Sequence, residues 1–173
     1  MLSLIGTLMI GCTGVPKGLE PVRGFEPDRY LGTWYEIARL DHRFERGLSH
    51  ISADYQRDGD AIKIVNRGYK AAKGEWKEAN GRATFLGESD VASLRVVFQW
   101  PFAGGYHVFQ LDKENYQWAM VTGPTRGYFW LLSRTPQMDE ALREDLLARA
   151  ADAGFARDKF IIVDHAGTPP EGE

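Results

Sequence analysis

Tyr30-Leu31-Gly32-Thr33-Trp34-Tyr35-Glu36-Ile37-Ala38-Arg39-Leu40 decides the fold. Pro27, Asp28 and Arg29 before it carry turn and helix-start chemistry, and Gly32-Thr33-Trp34 opens a long extended run. Strand side chains repeat every two residues, so Trp34, Glu36, Ala38 and Leu40 share one face, apolar but for a single carboxylate. On periodicity alone Trp34 is as readily a plain core tryptophan as anything more specialised.

Downstream, more strands are added to that one. After the polar Arg43-Phe44-Glu45-Arg46-Gly47 loop, Leu48 to Gln56 reads as a second strand and Ile62 to Tyr69 as a third, joined at Asp58-Gly59, a hairpin signal whose central residues need positive φ. Gly74 to Gly87 reads as a fourth, with Asn80-Gly81 inside it as either a turn or a bulge. Val91 to Trp100 puts Leu94, Val96, Phe98 and Trp100 on one face, and Pro101-Phe102-Ala103-Gly104-Gly105 breaks it. Tyr106 to Leu111, Tyr116 to Val121 and Tyr128 to Arg134 bring the count to eight. Only then does the period change: Met138, Ala141, Leu142, Leu146, Ala150 and Ala153 recur at helical spacing, with Thr135-Pro136 as the expected N-terminal cap and Gly154 as the stop. Lys159 to Val163 suits a short ninth strand. Closing eight strands removes both exposed edges and leaves room for one small ligand, so the expected fold is all-β: an eight-stranded antiparallel up-and-down β-barrel with one C-terminal α-helix and a short ninth strand, a sandwich being the runner-up.

The 173 residues suit one domain. Nineteen glycines and a 12% aromatic share fit many strands joined by tight turns. A net charge of -3 with interspersed signs gives no footprint for nucleic acid. The single cysteine, Cys12, excludes an intrachain disulfide. It closes an apolar run, Met1 to Gly11, too short for the roughly 20 residues that span a bilayer. Leu8-Met9-Ile10-Gly11-Cys12 resembles a lipobox, with Met9 where leucine is usual; no Lys or Arg precedes the run, so the natural start is expected upstream. The expected organisation is therefore a signal peptide at 1–11, a lipidated Cys12 with a flexible tether to 27, a domain at 28–166 and a disordered tail at 167–173.

Tyr30 to Arg39, Asp41 to Leu48 and the late Tyr128-Phe129-Trp130-Leu131-Leu132-Ser133-Arg134-Thr135-Pro136 resemble the bacterial outer-membrane lipocalins, relatives of apolipoprotein D, over about Asp28 to Val163. The resemblance implies a calyx with one closed end. There Trp34 of the Gly32-x-Trp34 motif would be the plug, and Arg134 would lie across it, a cation–π pairing that is physically sensible. The family's middle motif survives only in part, as Leu111-Asp112-Lys113, with Asp112 keeping the acid. Thr13 beside the cysteine is not the inner-membrane retention aspartate, so the expected location is the outer membrane, facing the periplasm.

With Trp34 and Arg134 inward, period-two counting assigns Glu36, Ala38, Leu40, Tyr128, Trp130 and Leu132 to the lumen. The resemblance adds Tyr106, Val108 and Gln110. Phe129, Leu131, Trp118 and Met120 would face a helix centred on Leu142 and Leu146. So apolar a lumen suits a fatty chain, and the resemblance points to lysophospholipid or fatty acid, with a second copy of the chain as the one protein partner left open. Glu36 must be paired, hydrated or protonated, as a ligand contact or as a structural hydrogen bond near the plugged end.

A hydrolase needs a nucleophile, a base and an orienting group together. There is no Gly-x-Ser-x-Gly, and His42, His50, His107 and His165, expected on surfaces or loops, lack metal-ligand spacing. The expectation is a binding protein, not an enzyme, with neither cofactor nor metal. A calycin-type enzyme or tetrapyrrole carrier on the same barrel is the alternative; a barrel filled by its own side chains is the third reading.

Overall fold

The computed structural model describes residues 13–99, 102–167 and 169; the expected signal peptide, Cys12, Trp100, Pro101 and most of the tail lie outside them. A four-residue helix, α1 (Pro27–Tyr30), leads into β1 (Gly32–Arg39), β2 (Ser49–Asp58), β3 (Ala61–Lys70), β4 (Glu75–Phe85), β5 (Ser93–Gln99), β6 (Phe102–Leu111), β7 (Trp118–Thr122) and β8 (Phe129–Ser133). Each pairs antiparallel with the next, and β1 pairs with both β8 and β2, which closes the barrel. Helix α2 (Glu140–Asp152) and the short β9 (Ile161–Ile162) follow.

The expected strand count, closure and late helix are all present, and local departures have local causes. The β2–β3 turn has only Gly59 at positive φ, 60°, so the left-handed demand falls on one residue. Asn80-Gly81 is neither turn nor bulge. β4 runs through it in register, Val65 facing Asn80 and Ile64 facing Gly81, because glycine leaves space for the Phe98 ring; a Cβ there would come within 2.7 Å of it. β6 begins at Phe102 rather than Tyr106, since Gly104 and Gly105 pair with Val96 and Arg95. The α2 cap is Asp139, whose carboxylate accepts from Leu142 N at 3.0 Å, not Thr135-Pro136.

Two apolar clusters divide the barrel wall. Inside lie Trp34, Tyr55, Ile62, Ile64, Leu94, Val96, Val108, Val121 and Leu132. Outside, Met120, Phe129 and Leu131 pack under Leu146, Leu147 and Ala150 of α2. Leu142, expected in that contact, is 38% exposed. The segment 13–26, expected to be a free tether, is instead laid along the barrel. Val22 N donates to Val108 O at 2.8 Å, Phe25 N to Asp90 O at 2.8 Å, and Phe25 is buried in the inner cluster. Its glycines and prolines shape a packed strap, whose backbone groups are satisfied by β6 and the β4–β5 connection.

β1 is the element that departs most from simple alternation. Its register against β8 shifts between Glu36, opposite Leu132, and Ala38, opposite Leu131. The bulge leaves Ile37 and Ala38 on the same outer face and returns Arg39 to the inside. Lower down, Gly32 to Tyr35 pair with β2; above, Ala38 and Arg39 pair with β9. His165 Nε2 meets Glu36 O at 2.7 Å, and His50 N donates to Asp164 O at 2.8 Å, so the returning chain covers the opening between β1 and β2.

Candidate functional site

The closed end is built first, by backbone. Trp34 is fully buried, its Nε1 donates to Tyr30 O at 2.8 Å, and the Arg134 guanidinium lies 3.9 Å from its ring centre. Arg134 also donates to Arg29 O at 2.6 Å, Thr33 O at 3.0 Å and Tyr116 O at 3.2 Å, stitching α1, β1 and the β6–β7 connection together. Gly32 sits at φ 90° with Arg134 Nη1 against it, a backbone shape that other residues rarely adopt. In the β6–β7 connection Asp112 accepts from Asn115 N and Gln117 N, so the acid organises the turn without the lost neighbours of its motif.

Above that floor three phenols meet. Tyr106 Oη lies 2.7 Å from Tyr30 Oη and 2.9 Å from Tyr55 Oη, and burial pushes all three upward, so they stay neutral. Phe25, Tyr30, Tyr55, Ile62, Ile64, Ala83, Leu94, Val96 and Tyr106 line a cavity of about 10 Å³, space for a single water rather than a chain. Val108 and Leu132 complete the wall, with Trp130 above them.

The sequence-predicted lumen residues thus divide. Glu36, Tyr106, Val108, Trp130 and Leu132 face inward, and Tyr128 stacks on Trp130 at 6.1 Å. Ala38 and Leu40 do not: the bulge sends both into the cluster under α2. Gln110 is likewise turned out, because β6 shifts register between Val108 and Gln110, placing Gln110 opposite Met120 and Leu111 inside opposite Ala119.

Sequence reasoning missed the upper wall. Arg39, 3% exposed, sits inside, its Nε 3.3 Å from Glu36 Oε1 and its guanidinium donating to Leu40 O at 3.2 Å and Glu45 O at 3.1 Å. The loop 41–48 folds over it, bringing Glu45 Oε2 to 3.1 Å from both Trp130 Nε1 and His42 Nε2. Desolvation, then the Glu45 charge, pushes the Glu36 carboxyl well up, and Arg39 only partly offsets this; desolvation raises Glu45 to about 6. Burial lowers His42 to about 4, so at neutral pH it is an uncharged ring facing a carboxylate. The available signal was Glu36-Ile37-Ala38-Arg39 itself, two adjacent apolar residues between two charges, which alternation cannot satisfy without a bulge.

His107, expected at the surface, is fully buried; Ser93 Oγ meets its Nδ1 at 2.9 Å, but its Nε2 is engaged by Gly14 O at 3.1 Å on the outer wall. That pair ties down the N-terminal strap. Among the described residues no group of three metal-ligating side chains comes together.

Residues 25–165 match a family model described as a lipocalin-like domain. The chain is 47% identical over 163 residues to the outer membrane lipoprotein Blc of Vibrio cholerae, covering 94% of this chain and 95% of the relative. It is 30% identical over 188 residues to apolipoprotein D of Macaca fascicularis, covering 98% and 97%. Among solved structures, insecticyanin of the tobacco hornworm Manduca sexta superposes with a TM-score of 0.70 at 17% identity, over 92% of this chain and 90% of that one, a likeness of fold.

Proposed function

Since the chain belongs to the lipocalin family, we propose that its barrel takes up one single-chain lipid, a lysophospholipid or fatty acid, and that it does so at the bacterial outer membrane, held there through a lipidated Cys12. The observation that carries the ligand class is the gradient of polarity along the inner wall. Below, aliphatic and aromatic side chains and three neutral phenols surround the axis; the charged groups Glu36, Arg39 and Glu45 gather at the loop-covered end. A chain belongs in the first region and a head in the second. Each buried methylene contributes about 0.8 kcal/mol, so a chain of about 14 carbons supplies roughly 11 kcal/mol before the cost of ordering it. The relatives named outer membrane lipoproteins support the location.

The 10 Å³ cavity favours a second reading, a barrel filled by its own rings with no ligand. Mass spectrometry of lipid co-purified with the Cys12→Ala chain separates the two. Stoichiometric single-chain lipid is expected; a lipid-free protein that also fails to enhance a fluorescent fatty acid removes the binding reading. For the anchor, labelled palmitate is incorporated by the parent and lost in Cys12→Ala; incorporation that persists in the variant removes that assignment.

A further inference from the structure

The polar cluster under the loop 41–48 is built unlike an anion site. It holds two carboxylates, Glu36 and Glu45, against one guanidinium, and Arg39 already donates to the carbonyls of Leu40 and Glu45. Glu45 meets His42 and Trp130, and three rings lie around His42: Phe44 at 4.5 Å, Trp130 at 5.0 Å and Tyr128 at 6.0 Å, with Tyr128 stacked on Trp130. Carboxylates among aromatic faces attract cations twice over, by charge and by the ring quadrupole. The cluster is also unfinished. Glu36 Oε1, Arg39 Nε and both ring nitrogens of His42 are buried without an aligned hydrogen bond, although Arg39 Nε lies 3.3 Å from Glu36 Oε1 and His42 Nε2 3.1 Å from Glu45 Oε2. Glu36 is 4% exposed and His42 7%.

We infer that this box is a headgroup subsite for an ammonium ion: the amine of a single-chain lipid sits among Glu36, Glu45, His42, Phe44, Tyr128 and Trp130 while the chain enters the barrel. The inference rests on the lumen reading above and adds which head is selected. The loop 41–48 is tied down chiefly through Glu45, by Arg39 and Trp130, and Phe44 at its crest is 62% exposed, so the head has a short way in. The charged and titratable groups facing the site are Arg39 of β1, Asp41 at 3.6 Å from it, His42, the two carboxyls, and Tyr55 of β2. A bound ammonium favours the ionised carboxylates, so binding of an amine head releases protons and strengthens as pH rises through about 6, where Glu45 ionises.

Two lysolipids of identical chain, one with a phosphoethanolamine and one with a phosphoglycerol head, displace a fluorescent fatty acid from the full Cys12→Ala chain between pH 5 and 7.5. The ethanolamine head is expected to bind about tenfold tighter at pH 7.5, with the preference fading toward pH 5. Glu45→Gln abolishes both the preference and its pH dependence. Phe44→Ala, at a position 62% exposed, reduces the preference about threefold. Equal affinities for the two heads, or a preference unaltered in Glu45→Gln, overturns the subsite while leaving the lumen reading standing. Failure of both lysolipids to displace the probe overturns the lumen reading and the subsite with it.

Discussion

Arg134 does more at the closed end than cover an indole. Its guanidinium joins three carbonyls from three segments, so its fork, not its charge alone, holds the floor. Arg134→Lys keeps the charge and loses the fork; chemical denaturation should show a loss of about 2 kcal/mol, with lipid affinity little changed because the chain does not reach it. At the other end, two neighbours titrate in opposite senses. The folded His42 refuses a proton until about pH 4 against an ordinary 6.5, so it withdraws stability as pH falls through that window. Glu45, raised to about 6 from an ordinary 4.5, takes its proton first in the folded state and adds stability as pH falls between those values. Melting temperatures at pH 5 and pH 7 should therefore separate the variants. Relative to the parent, the pH 5 value gains on the pH 7 value in His42→Gln and loses on it in Glu45→Gln.

At the scale of elements, one extra residue in β1 decides what the barrel presents to a ligand. Glycine and proline punctuation made the strands legible in sequence, because those residues act locally. The helix was legible too, through Leu146 and Ala150, although its cap was placed four residues early. The wall above Glu36 was not legible, since a period of two holds only in an unbulged strand: Ala38 and Leu40 went to the helix and Arg39 came inside. The same failure recurs at Gln110. The packing of 13–26 along the barrel was hidden for a different reason, that breakers describe a strap and a tether alike. The corrected phase has a measurable consequence. Leu40→Ala should cost about 2–4 kcal/mol of stability and leave probe affinity unchanged, because it opens a cavity under α2 rather than in the lumen. Leu132→Trp should do the reverse, blocking the lumen at a modest cost in stability.

At the scale of the molecule, the barrel is a cup with a stitched floor, a neutral lower wall and a charged, loop-covered rim. Closure of β1 against both β8 and β2 leaves β9 to pair with the upper end of β1. The small cavity is lined by side chains, Phe25, Tyr30, Tyr55 and Tyr106 among them. The most direct measurement is titration of a fluorescent fatty acid into the Cys12→Ala chain and its Leu132→Trp variant, followed by competition with lysophospholipid. One saturable site, emptied by lysophospholipid and lost in Leu132→Trp, is the predicted result; equal binding by the two proteins, or none by either, contradicts a lipid-bearing lumen.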